Sequence, residues 1–137
     1  NNIYKFKKNI SINYQNDGKS EYLINGIENR IEQIVANLLD NSISFSDDGS
    51  EVIVNVSNGL EKKVTVKILD EGQGFKEKDT SKIFNRFYSN RPENFGEHSG
   101  LGLNIVKNLV ELHDGKIEAS NRLDKQGALI EIKFPSL

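Results

Sequence analysis

The stretch "SGLGLNIVKNLVELHDG", residues 99–115, constrains the fold more than any other part of the chain. Leu101, Leu103, Val106, Leu109 and Val110 recur at the spacing of one helical face. An amphipathic helix lying with that face on a core is therefore expected. It opens on Gly100 and Gly102, although glycine costs a helix about 1 kcal/mol relative to alanine. Two glycines at that end imply that something comes close to the backbone. The first turn of a helix carries unpaired N–H groups and the positive end of the helix dipole, which suits a phosphate. Ser99 is placed to cap it. A helix emerging from a polar loop accounts for the same residues, so the stretch by itself leaves both readings open.

A second helical stripe runs through Ile27, Ile31, Ile34, Val35, Leu38, Ser42 and Phe45. Strand patterns surround the two helices. Asn9–Gln15 alternates with Ile10, Ile12 and Tyr14 on one face, and "EYLING" is expected to return against it through "NDGKS". "EVIVNVSNGLEKKVTVKILDEG" reads as a hairpin turning at Asn58-Gly59, and "GKIEASN" with "GALIEIKF" as a closing hairpin. The order β-β-α-β-β, long loop, α-β-β predicts an α/β two-layer sandwich, with a mostly antiparallel sheet covered on one face by two long helices. From Gly72 to Gly100 the pattern fails apart from a piece around Ile83, Phe84 and Phe87, and loops of this length in a domain often act as lids.

The 137 residues suffice for one domain with a single core. No apolar run approaches the ~18 residues of a membrane span. A net charge of −2 does not point to nucleic acid or an anionic membrane, so neither is an expected partner. The absence of cysteine excludes disulfides and thiolate metal sites. His98 and His113 form no catalytic triad or metal-binding cluster with other residues. The chain does not begin with Met and shows no signal peptide, and it is read as a piece of a longer protein.

Three groups of side chains can carry chemistry. Asn37 and Asn41 sit four apart on the first helix, about 40° apart around it. Asparagine is a poor helix former, so a pair in mid-helix needs a reason. A carboxamide oxygen can ligate Mg²⁺, which shares its oxygen ligands with phosphates; an exposed helix edge is the alternative. "ILDEGQGF" places Asp70 at a strand end, followed by Gly72 and Gly74. A buried carboxylate can accept a hydrogen bond from an exocyclic amine such as that of adenine, and glycines let backbone approach a ring. A plain turn is the alternative. The start of the second helix, Gly100 to Leu103, is the third.

Taken together and in order, these motifs resemble the ATP-binding catalytic domain of sensor histidine kinases, in the wider GHKL (HATPase) group with DNA gyrase, Hsp90 and MutL. "RIEQIVANLLDNSISFS" looks like the family's N box, "DEGQGF" like its first glycine box, "KIFNRFY" like its F box and "SGLGLNIVKNLVELHDGKI" like its second glycine box. The resemblance implies a Bergerat-type ATP-binding fold over residues 1–137, a mixed sheet under about three helices, with an ATP lid at about 73–99. By motif match Asp70 would bind the adenine amine, with Gly72 and Gly74 beside it and Phe45 against the ring. Asn41 would ligate Mg²⁺ and Asn37 would support the phosphates and metal. Ser99, Gly100, Leu101, Gly102 and Leu103 would meet the phosphates.

Asn37 also separates the branches of the group. ATP-hydrolysing members carry Glu at the matching position as a general base, and a neutral amide cannot take a proton. An imidazole nucleophile already has a free lone pair and needs less help. The chain departs from the family pattern at Ser44, where Lys is usual, and at Ser89, where Arg follows Phe87-Tyr88. Arg91 lies two residues further on and is the candidate for the missing phosphate cation. "FYSNRPENFGEHSGLGL" resembles the ChvG/ExoS-like envelope-stress kinases. The implied function is transfer of the γ-phosphoryl group of ATP-Mg to a histidine on the protein's own dimerisation domain, which is absent from this chain, with a response regulator as the further partner. The domain would be a soluble monomer in the cytoplasmic part of a dimeric bacterial inner-membrane sensor. A GHKL-type ATPase fragment and a degenerate nucleotide-binding interaction module are the alternatives.

Overall fold

Five strands form one sheet in the order β1-β2-β3-β5-β4. They are β1 (Ser11–Asn16), β2 (Glu51–Asn58), β3 (Lys63–Leu69), β4 (Lys116–Asn121) and β5 (Ala128–Pro135). The computed structural model describes residues 9–18, 24, 26–58, 63–76, 80–85 and 102–136. The predicted hairpins are both present, β2 with β3 and β4 with β5, and β3 pairs antiparallel with β5 between them. Asn58 is the last residue of β2, opposite Val64, so the expected turn at Asn58-Gly59 begins where the described residues stop.

Among the described residues the first expected hairpin is not present. β1 pairs with β2, and in parallel, Ile12 lying opposite Val52 and Tyr14 opposite Val54. Ile24 of "EYLING" bridges Ser136 at the other end of the chain. Alternation marks a strand but carries no information about its partner, which is a long-range choice. The sheet is therefore mixed, with one parallel pair at an edge.

Two α-helices, α1 (Glu28–Phe45) and α2 (Gly102–Leu112), and a 3₁₀ turn (Thr80–Phe84) lie among the described residues. Ile34 and Leu38 of α1 and Val106 and Val110 of α2 are at most 1% exposed. They share one core with Val52, Val54, Ile68, Ile130, Ile132 and Phe134 from the sheet. Burying each such side chain stabilises by about 1.5–3 kcal/mol. Ile27 does not join the stripe expected for it. It stands before the first turn with an extended backbone, accepts the N–H groups of Arg30 and Ile31 through its carbonyl, and leaves its side chain exposed. The cap position lies outside the helical period, which moves the side chain off the buried face.

His113, just past α2, joins the two helix ends. Its Nδ1 donates to the Leu109 carbonyl (2.8 Å) and its Nε2 accepts the Ile27 N–H (3.1 Å). This arrangement needs the neutral Nδ1–H tautomer. The ring also stands edge-on to Phe134.

Candidate functional site

Asp70 follows β3 directly and is 3% exposed. Its Oδ1 accepts two backbone N–H groups, from Gly72 (2.9 Å) and Ala128 (3.0 Å). Oδ2 has no hydrogen-bond partner among the described residues. Burial raises the pKa of this carboxyl above its ordinary value; the N–H groups of Ala128 and Gly72, and the charge of Arg122, pull it back down. A buried acceptor with one oxygen saturated and the other open is placed to take a hydrogen-bond donor from outside the protein.

Gly72 is fixed by packing. A Cβ there would stand 2.3 Å from the carbonyl oxygen of Phe45, the last residue of α1. The absent side chain therefore lets the C-terminus of α1 close on the Asp70 turn, and brings Phe45, Asp70 and Gly72 together as expected. Gly74 takes a left-handed φ of +80° beside Asn121. The Asn121 carboxamide clamps the next residue from both sides: Oδ1 accepts the Phe75 N–H (2.6 Å) and Nδ2 donates to the Phe75 carbonyl (3.1 Å).

Asn37 and Asn41 lie on α1 about two turns and one turn before Phe45, Asn41 buried and Asn37 half-buried. Ser44, where a lysine was expected from the resemblance, is fully buried and donates to the Asn41 carbonyl (2.6 Å). The short hydroxyl turns back onto its own helix and presents no charge.

At the start of α2 the two described positions behave differently. Leu103 is buried in the core. A Cβ on Gly102 would meet no described atom within 4 Å. Gly102 is thus not required by packing among the described residues, in contrast to Gly72. Arg91, Ser99, Gly100 and Leu101 lie outside the described residues, as does His98. Of the expected lid, the 3₁₀ turn is anchored: Ile83 and Phe84 are buried, Thr80 Oγ1 donates to the Ala119 carbonyl (2.6 Å), and Asn104 of α2 donates to the Phe84 carbonyl (3.1 Å).

Sequence reasoning missed the connection between β4 and β5. Arg122 reaches the Asp70 carbonyl, and Ala128 holds the Asp70 carboxylate. An arginine directly after the strand Lys116–Asn121 was the only available signal. Beside it, Glu71 accepts the Glu51 N–H (2.7 Å) and pairs with Lys125 (3.0 Å), which hold its pKa below the ordinary value. No cluster of three or more His, Cys, Asp or Glu suited to a metal ion occurs among the described residues, and no described helix is long and apolar enough to cross a membrane.

The family described as histidine kinase-, DNA gyrase B-, and HSP90-like ATPase matches residues 26–137. The sensor protein ChvG of Agrobacterium fabrum (strain C58) is 38% identical over 135 residues, covering 93% of this chain and 22% of ChvG. The sensor protein KdpD of Clostridium acetobutylicum is 42% identical over 107 residues, 77% of this chain and 12% of KdpD. The chain thus spans about a fifth or less of these relatives. Among solved structures, the mycobacterial sensor histidine kinase MprB is similar at a TM-score of 0.76 and 26% identity, over 92% of this chain and 81% of that one. The nucleotide-free catalytic domain of the histidine kinase ThkA is similar at 0.77 and 26%, over 93% and 79%.

Proposed function

Because the chain belongs to the histidine kinase-, DNA gyrase B- and HSP90-like ATPase family, with sensor histidine kinases as its relatives, we propose that it binds ATP with Mg²⁺ and donates the γ-phosphoryl group to a histidine on a separate dimerisation domain. The observation that carries the proposal is Asp70, buried, with Oδ1 saturated and Oδ2 open among the described residues. Such an oxygen accepts the adenine amine. The fit of Gly72 against the Phe45 carbonyl brings the backbone of an aromatic residue to the same turn, and the Phe45 ring is assigned to lie along the base. The absence of any described atom within 4 Å of a Cβ built at Gly102 is in keeping with phosphates approaching the first turn of α2.

Asn41 is the residue assigned to Mg²⁺, through an amide oxygen of the hard type the ion prefers, and Asn37 supports the phosphates. The ion, when bound, would neutralise charge on the phosphate oxygens. Asn37 also carries the choice of reaction. A carboxamide cannot act as general base toward water, whereas a neutral imidazole already has a free lone pair and needs less help, so phosphoryl transfer to histidine is favoured over hydrolysis. Arg91 is proposed as the cation that meets the γ-phosphate in place of the residues lost at Ser44 and Ser89. His113 has both ring nitrogens committed to backbone groups, so the acceptor histidine is assigned to another part of the protein. The whole protein is proposed to be a membrane sensor with this domain in the cytoplasm and a response regulator as partner.

Asp70→Asn tests the proposal. It keeps the shape but turns one acceptor oxygen into a donor. A hydrogen bond to a charged group contributes about 1.5–3 kcal/mol, so ADP and ATP affinity should fall at least about tenfold. Calorimetry on a variant with unaltered circular dichroism provides the measurement. Undiminished affinity would remove the adenine assignment.

A further inference from the structure

Arg122 closes β4, yet its side chain is only 4% exposed. All three of its nitrogen groups are engaged. Nη1 donates to the Asp70 carbonyl (3.1 Å), while Nε and Nη2 form a fork onto the two carboxylate oxygens of Asp124 (3.0 and 2.8 Å). Its backbone N–H donates to the Gly127 carbonyl (2.9 Å), closing the turn that the fork braces. Gly127 and Ala128, the residues that leave this turn, lie directly on Asp70. A Cβ on Gly127 would stand 2.0 Å from the Asp70 carbonyl oxygen, and Ala128 exchanges two hydrogen bonds with Asp70, its carbonyl accepting the Asp70 N–H and its N–H donating to Oδ1 (both 3.0 Å).

The direction of Oδ2 follows from this chain of contacts. A carboxylate held by one N–H can swing about its Cβ–Cγ bond. Held by two at Oδ1, from two separate segments of the chain, it presents Oδ2 in one direction. One of the two N–H groups belongs to Gly72, in the same turn as Asp70. The other belongs to Ala128, which opens β5 opposite Asn121 and directly leaves the Arg122 turn. We propose that Arg122 is a positioning residue for nucleotide recognition, locking the 122–128 turn onto the Asp70 backbone and so aiming Oδ2 at the adenine amine. The proposal rests on the reading of Asp70 as the adenine acceptor. Geometry makes the arginine specific: its planar fork grips Asp124 while the same group spans to the Asp70 carbonyl, which the single ammonium of lysine cannot do. Its charge also helps keep Asp70 ionised against the effect of burial.

A purely structural brace would affect every nucleotide alike, whereas a residue that aims Oδ2 affects only ligands bearing the amine. The experiment compares ADP with purine riboside 5′-diphosphate, which lacks that amine, by calorimetry on the native chain, Arg122→Gln and Asp70→Asn. Arg122→Gln should lower ADP affinity about fivefold, the equivalent of one net hydrogen bond, and change the affinity for the amine-free analogue less than about twofold. Equal losses for both ligands, or none for either, would overturn the proposal. Arg122→Lys covers the case in which the glutamine variant does not fold, and the same ratio decides: an ADP preference equal to that of the native chain overturns it. The Asp70→Asn arm separates the two readings. If that variant keeps the native preference for ADP, the adenine assignment itself fails; if it loses the preference while Arg122→Gln and Arg122→Lys retain it, only the role of Arg122 fails.

Discussion

Replacing Gly127 with alanine tests how the β4–β5 connection meets Asp70. Two costs arise at this position. The backbone has φ +150°, a conformation that L residues rarely adopt, and holding a side chain there costs about 1–3 kcal/mol. The added Cβ would also lie 2.0 Å from the Asp70 carbonyl oxygen and 2.9 Å from Cδ of Arg122. The arginine stem can move aside. The carbonyl cannot move without disturbing the Arg122 Nη1 bond and the exchange between Asp70 and Ala128. Overpacking of this kind costs about 1–3 kcal/mol, for a total of about 4 kcal/mol out of the 5–15 kcal/mol typical of a domain. Gly49 supplies the control, because it has φ +83° and no described atom within 4 Å of a built Cβ. Alanine there meets only the backbone cost, about 1–2 kcal/mol. With a urea slope of roughly 2 kcal/mol per M, the midpoint should fall by about 2 M for Gly127→Ala and by less than about 1 M for Gly49→Ala. Equal shifts in the two variants would refute the close approach of Gly127 to Asp70.

Two further outcomes follow from contacts at the same turn. Asn121→Ala removes both bonds that hold Phe75, and since these lie at the surface the loss should be about 1–2 kcal/mol, read as a lower melting temperature; an unchanged melting temperature would mean that water replaces the clamp without cost. Nucleotide binding should weaken as pH falls, because burial raises the pKa of Asp70 and the ionised form is the stronger acceptor at Oδ2: affinity is full above that raised pKa and falls as pH drops through it, with a proton released on binding near it, while Asp70→Asn should abolish this part of the dependence. For folding the sign is opposite. The buried carboxyl favours the folded state most below its unfolded pKa, and that contribution is lost as pH rises through the raised folded value.

Periodicity carried most of the architecture. The two helices and two hairpins stand where apolar spacing put them, since each buries its own face and can be read over ten to twenty residues. What was not legible depends on residues far apart in sequence. Nothing in Asn9–Gln15 distinguishes a parallel partner at β2 from an antiparallel one at "EYLING". Arg122 and Ala128 act on a residue 52 and 58 positions earlier, and neither lies in a recognisable motif. Ser44 illustrates the converse. The sequence marked it as a departure from the family, but only the structure assigns the hydroxyl to the Asn41 carbonyl inside the same helix.

The charge of Asp70 is the feature that packing alone does not call for. The turn after β3 uses one side-chain oxygen, Oδ1, to gather the N–H groups of Gly72 and Ala128. The carbonyl oxygen of asparagine can also accept two such bonds, though more weakly than a carboxylate, and would spare the fold the desolvation of a charge, which is the first cause of the raised pKa here. The fold does not turn to the neutral side chain; it surrounds the carboxylate with N–H groups and a buried arginine that counter the same desolvation. Those contacts offset a cost that asparagine would never incur. Asparagine, however, would put an NH₂ group where Oδ2 stands, facing the amine of an adenine donor to donor. A carboxylate is the one side chain of this length that satisfies the two backbone N–H groups with one oxygen and still offers a second acceptor outward. On the proposed adenine contact, the demand for aspartate comes from the oxygen the turn leaves unused, and the Arg122 turn would keep that oxygen ionised and aimed.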